Sequence, residues 1–200
     1  MQECGRFIVQ HPEEMKGRWH ELFAPRRDLK LEIGSGKGRF ITQMAQREPD
    51  TGFLACEGQF NVYPRILQKA AELELSNLLL VADYITEPCR MFADGELSGI
   101  YLNFSDPWKK RTANRRLTYR EKLRAYAKVC APGSFLQFKT DNDELFEYSL
   151  EELSAAGLEP DIVEYDLHSS SLAAENIMTE YEEKFTDQGI KIKYFRTVFT

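Results

Sequence analysis

Two apolar periods alternate along the chain. Short continuous apolar runs of strand length stand at residues 29–34, 52–57, 78–83, 99–104, 134–140, 162–167 and 190–199. Between them lie stretches with apolar residues three and four positions apart, as on one helix face. These predict helices over 37–47, 62–75, 118–130, 144–156 and 178–185, and an earlier short helix over 11–23 with Met15, Trp19, Leu22 and Phe23 on one side. The punctuation agrees: Pro25, Pro49-Asp50, Pro132-Gly133 and Gly157 fall at predicted ends, and Asp141-Asn142 can cap the helix that follows. Strands alternating with helices predict an α/β fold with a mainly parallel, doubly wound sheet, whose ligands bind at the carboxyl ends of the strands.

That rule locates the chemistry. Strand one runs into Gly34, Gly36 and Gly38, where the backbone must turn sharply and a ligand can approach it closely. The spacing is G-x-G-x-G, not the G-x-G-x-x-G of dinucleotide sites. Lys37 lacks the following Ser or Thr of a phosphate loop. Polar residues then collect after each strand: Glu57 after the second, Asp83 after the third, Ser105-Asp106 after the fourth and Asp141 after the fifth. Glu57 lies about 20 residues beyond the glycines, where an acid meets the ribose hydroxyls of a bound nucleoside. Asp83 falls where the base would lie and can accept from the amine of adenine. Acids without a phosphate clamp favour S-adenosyl-L-methionine as cofactor. Asn103-Phe-Ser-Asp-Pro-Trp108 places a carboxylate and a flat ring beside it, and Pro107 stiffens the turn.

Charge changes this picture more through its distribution than through its net value of −6. Residues 109–124 contain eight bases (Lys109, Lys110, Arg111, Arg115, Arg116, Arg120, Lys122, Arg124) and one acid, whereas residues 141–187 contain fifteen acids and one base. The basic stretch predicts an anionic partner bound at one place, with Arg111, Arg115 and Arg116 on its phosphates. The acidic stretch is expected to keep RNA off the opposite surface. Four scattered cysteines (Cys4, Cys56, Cys89, Cys130) and three isolated histidines offer no metal spacing, so free thiols and no metal are expected. The longest apolar run, 78–82, is too short to span a membrane, and the first residues lack a signal pattern, which predicts a cytoplasmic protein.

Several stretches in order resemble the bacterial tRNA (guanine-N7-)-methyltransferase family, TrmB. They are Leu31-Glu-Ile-Gly-Ser-Gly-Lys-Gly38, Tyr101-Leu-Asn-Phe-Ser-Asp-Pro-Trp108, Arg115-Arg-Leu-Thr118, Phe138-Lys-Thr-Asp-Asn142 with Leu145-Phe-Glu-Tyr-Ser149, and Met178-Thr-Glu-Tyr-Glu-Glu-Lys-Phe185. The resemblance covers nearly the whole chain from about His11. It implies a Rossmann-like class I S-adenosyl-L-methionine-dependent methyltransferase, one domain over 1–200 with a short N-terminal extension over 1–28 and a C-terminal antiparallel strand. It implies that Glu32, Glu57, Asp83 and Asp106 line the cofactor site, with Asp106 catalytic. Asp141, Thr179, Glu180, Tyr181 and Glu182 would contact the substrate, with Lys109 or Lys110, since one residue of the family pattern is missing after Trp108. The implied reaction methylates N7 of the variable-loop guanine of tRNA, guanine-46, by a monomer or homodimer. Two alternatives stay open: a methyltransferase acting on another RNA or a small substrate, and a non-catalytic RNA-binding subunit.

Overall fold

A computed structural model describes residues 3–200, with side chains from residue 5 onward. Seven strands form one sheet in the order β3-β2-β1-β4-β5-β7-β6: β1 Leu29–Ile33, β2 Gly52–Cys56, β3 Leu78–Val81, β4 Leu97–Asn103, β5 Cys130–Thr140, β6 Ile162–Glu164 and β7 Lys193–Val198. All neighbouring pairs are parallel except those of β7, which runs antiparallel to both β5 and β6. The helices are α1 Trp19–Phe23, α2 Arg39–Arg47, α3 Pro64–Glu72, α4 Pro88–Met91, α5 Arg120–Val129, α6 Asp143–Ala155 and α7 Glu180–Asp187.

Strand alternation sorts the apolar residues into two layers. Leu31, Ile33, Leu54, Ile100 and Leu102 pack on one face with Trp19, Phe23, Leu123, Tyr126, Leu145 and Phe146. Phe53, Ala55 and Tyr101 pack on the other with Phe40, Ile41, Met44, Ile66 and Ala70. Chain order reverses between β1 and β4, so a crevice opens there at the carboxyl ends of the strands.

Three expectations change. The helix expected over 11–23 is split into a single 3-10 turn, Pro12–Met15, and α1. Gly17 interrupts it with a φ of 78° and donates its N–H to Glu96, which also accepts from the Trp19 N–H. In so short a helix Trp19 and Phe23 fill the buried side, and Leu22 is left exposed. The loop expected at Pro132-Gly133 lies within β5, which begins directly at Cys130 where α5 stops. Lastly, α4 is a single helical turn that no apolar period announced. Cys56 and Cys130 are buried free thiols and Cys89 is a partly buried one; the side chain of Cys4 lies outside the described residues.

Asn77 shows how an element boundary is held. Its buried amide donates to the carbonyls of Ala45 (2.9 Å), Glu48 (3.0 Å) and Thr51 (2.9 Å), joining the end of α2 to the starts of β2 and β3. Asn77→Ala strands buried carbonyls and is expected to cost about 2 kcal/mol, measured as the shift in urea unfolding. A shift below about 0.5 kcal/mol, within the range of an ordinary surface change, would show that this amide is dispensable.

Candidate active site

The glycine turn after β1 is built from both sides. The N–H groups of Gly34 and Ser35 donate to the Cys56 carbonyl at 2.8 and 3.0 Å, which docks the turn on the end of β2. Gly38 starts α2 with a φ of 81°, and a Cβ there would sit 2.8 Å from Ile66 Cγ1, so glycine lets α2 and α3 approach. Gly34 and Gly36 also have positive φ, yet a Cβ on either would meet nothing within 4 Å. That open space beside the turn is room for a ligand.

Acids line the turn. Glu57 is buried, with its carboxylate accepting from the N–H of Gly36 at 2.9 Å and of Gln59 at 2.8 Å. Glu32 is buried beneath, accepting at Oε1 from the Asn103 amide at 2.7 Å. Glu32 Oε2 and Asn103 Oδ1 are buried without a hydrogen-bond partner. Two unpartnered acceptors side by side suit a donor-rich or cationic group. Burial pushes the Glu32 carboxyl up to about 7, against the Asn103 and Ser35 hydrogen bonds that favour its charged form. Asp83 is exposed at the end of β3, where it accepts from the Tyr84 N–H.

At the end of β4, Asp106, Pro107, Trp108, Lys109, Lys110, Arg116, Asn142 and Glu144 surround a cavity of ≈ 630 Å³. Asp106, Lys109 and Lys110 are exposed to it, and Asn142 caps α6 by accepting from the Leu145 N–H at 2.7 Å. Of the expected polar residues, this cavity brings together Asp106, the two lysines and Arg116; Glu32 and Glu57 sit at the glycine turn instead, and Asp83 stands after β3. Asp141 precedes the cap, and its carbonyl accepts from Lys193.

A second layer of residues is pledged to the fold. Arg116 is only 3% exposed, with its guanidinium donating from Nε and Nη2 to the Trp108 carbonyl at 3.0 and 2.7 Å. Its charge therefore points inward, which corrects the expectation that it meets phosphate. Arg120 is likewise committed to Glu152 through two side-chain hydrogen bonds and one backbone bond, and Arg124 to the Ala155 carbonyl. Lys109, Lys110, Arg111 and Arg115 remain exposed. Thr179 and Glu182 are also turned inward: they close a capping box at the start of α7, and Glu182 pairs with buried Lys139 at 2.7 Å. Glu180 pairs with Lys69 at 2.8 Å and Tyr181 stands exposed. The acidic stretch is thus partly paired with bases of the sheet and its helices.

Sequence reasoning missed Lys139 and Glu144 as parts of this region; it placed Asn103 only as the start of the Asp-Pro-Trp stretch and Asn142 only as a helix cap. Lys139 carried a signal, since a lysine inside the apolar run 134–140 must find a buried anion.

A family model described as "Putative methyltransferase" matches residues 26–195. The tRNA (guanine-N(7)-)-methyltransferase of Latilactobacillus sakei subsp. sakei (strain 23K) is 49% identical over 183 residues, which cover 91% of this chain and 86% of that protein. The chain belongs to the tRNA (guanine-N(7)-)-methyltransferase family. Another family member, from Geobacillus thermodenitrificans (strain NG80-2), is 46% identical over 188 residues, 94% of this chain and 87% of its own. Among solved structures, the 16S rRNA methyltransferase KamB matches with a TM-score of 0.64 at 15% identity, over 92% of this chain and 94% of that one. The antibiotic-resistance methyltransferase Kmr matches equally at 0.64, with 17% identity and 92% of each chain. At such identities the likeness concerns the fold, the class I methyltransferase fold.

The raised Glu32 carboxyl has a consequence for stability. Its ordinary value is 4.5, so between about pH 4.5 and 7 the folded chain holds a proton that the unfolded chain has lost. Glu32 therefore stabilises the fold least at the top of that window, and its contribution falls by up to about 3 kcal/mol as pH rises. Glu32→Gln is expected to flatten the decline in unfolding free energy between pH 5 and pH 7.5. An unchanged slope in urea melts would place the proton elsewhere.

Proposed function

We propose that this chain methylates N7 of guanine-46, in the variable loop of tRNA. The reaction is the family's: S-adenosyl-L-methionine is the cofactor and a tRNA guanine receives the methyl at N7. The observation that carries the reading is the cavity at the end of β4, where Asp106, Trp108, Lys109 and Lys110 present a carboxylate, a ring and two cations together. Residues 1–200 act as one methyltransferase domain with a short extension over 1–28, in the cytoplasm, as a monomer or homodimer and without a metal. Among the described residues, no helix is long and apolar enough to cross a membrane.

The open turn at Gly34 and Gly36, with the unpartnered Glu32 and Asn103 acceptors, fits the amino-acid part of the cofactor. Glu57 would meet its ribose and Asp83 its adenine. When bound, the cofactor supplies a sulfonium-activated methyl group. Guanine N7 has an in-plane lone pair and no proton, so the chain must orient the base rather than deprotonate it. Asp106 and Asp141 accept hydrogen bonds from the base and stabilise the positive charge that develops on the purine. Lys109 or Lys110 holds the substrate beside them, and exposed Tyr181 offers it a ring face. Lys109, Lys110, Arg111 and Arg115 carry the backbone phosphates.

Incubation of the chain with labelled S-adenosyl-L-methionine and bulk tRNA is expected to place label on N7 of guanine-46; label on another atom or position contradicts the reading. Asp106→Ala should lower kcat by on the order of 10²-fold or more, with cofactor Kd changed only a few-fold. Equal turnover removes Asp106 from its role. Wild-type affinity for tRNA should fall steeply with salt, and replacing Lys109, Lys110 and Arg111 by alanine should reduce that slope by about 1 per residue; an unchanged slope removes them from the interface.

A further inference from the structure

The loop that carries Asp106 has little support of its own. It is entered by Phe104, with φ 52°, and left by Trp108, with φ 23°, two bulky residues in a region that side chains rarely adopt. Such backbone persists only where the surroundings over-determine it. At the entry, the Phe104 N–H donates to the Lys139 carbonyl at 2.9 Å and the Phe104 ring stacks on Phe185. Among the described residues, no hydrogen bond reaches Ser105, Asp106 or Pro107. At the exit, the two Arg116 donors grip the Trp108 carbonyl, and the Arg115 guanidinium lies 5.0 Å above the Trp108 ring.

Arg116 is itself held. Its guanidinium stacks 4.3 Å from the Tyr148 ring centroid on α6, and Glu144 of the same helix stands 3.5 Å away. α6 is the helix that Asn142 caps, one residue after Asp141. A planar fork pressed on a ring keeps a fixed orientation that an ammonium cannot reproduce. One buried cation thus joins the Asp106 loop to the helix that begins beside Asp141.

We propose that Arg116 is a positioning residue of the methyl transfer: its fork on the Trp108 carbonyl sets the Asp106 loop in its reacting geometry and ties that loop to α6. The proposal rests on the functional reading above. It assigns to Arg116 an effect on turnover and none on phosphate binding.

The test uses the full chain labelled with 5-fluorotryptophan, which places fluorine at buried Trp19 and at Trp108; Trp108→Phe assigns the two signals. Arg116→Lys keeps the charge and loses the fork. It is expected to move or broaden the Trp108 signal while the Trp19 signal stays in place. kcat on tRNA should fall by on the order of 10²-fold, with tRNA affinity and its salt slope unchanged. Tyr148→Leu removes the stacking surface and leaves every charge, and should act in the same direction on both readouts; it decides the matter if Arg116→Lys fails to fold. The proposal is overturned if kcat stays within about twofold of wild type with the Trp108 signal unmoved, or if affinity and salt slope fall while kcat at saturation survives. Failure of the functional reading is separate: wild type would then methylate no tRNA guanine, and the fluorine signals would still report whether Arg116 holds the loop.

Discussion

Lys139 and Glu182 are both fully buried, 2.7 Å apart, and much of the site hangs from that pair. Two charges taken from water cost several kcal/mol each unless every donor and acceptor is met. Here they are met. Lys139 Nζ also donates to Asn176 and to the Ile177 carbonyl, while Glu182 accepts from the Asn176 amide and the Thr179 N–H and lies 3.1 Å from His168 Nε2. Burial pushes the Lys139 ammonium below its usual range, opposed by the adjacent carboxylate. The pair pins α7 over the carboxyl end of β5, and the backbone carbonyl of the same lysine starts the Asp106 loop by accepting from Phe104. One residue thus links the Thr179–Glu182 segment to the end of β4 and the Asp106 loop.

The remaining ion pairs extend this connection. Arg39 of α2 pairs with Glu183 at 2.5 Å and Lys69 of α3 with Glu180 at 2.8 Å, so α7 is tied to both helices that flank the glycine turn. Exposed pairs of this kind contribute little stability individually. Their value is geometric, because they set where α7 lies relative to the glycine turn. Several acids of the acidic stretch thus pair with bases elsewhere in the chain. The basic stretch divides similarly, with Arg116, Arg120 and Arg124 serving the fold and the residues from Lys109 to Arg111, with Arg115, facing outward.

Strand direction explains why so much of the polar chemistry gathers at one edge. Every parallel strand delivers its C-terminal residue to the same side of the sheet, and the reversal of order between β1 and β4 leaves a gap there. Glu32 and Asn103 are neighbours because β1 and β4 pair in parallel, with Glu32 opposite Tyr101. Antiparallel β7 extends the sheet beyond β5, with β6 at the edge, and its Lys193 donates to the Asp141 carbonyl.

Local periodicity was enough to read the alternation of strands and helices, the glycine turn and the acids at successive strand ends, because each depends on residues within a few positions of one another. Length and ends are less legible: the helix expected over 11–23 is interrupted at Gly17, which has a positive φ and donates to Glu96 from 79 residues away. What the residues could not reveal alone is which charges face inward. Arg115 and Arg116 are adjacent and chemically identical, yet one stacks on Trp108 at the surface and the other is buried against Trp108 and Tyr148. Glu182 and Glu183 divide the same way, the first buried with Lys139 and the second reaching Arg39 from 144 residues away. Burial and partner choice are set by segments remote in sequence, so only the packed structure decides which side chains hold the site and which remain free to meet RNA.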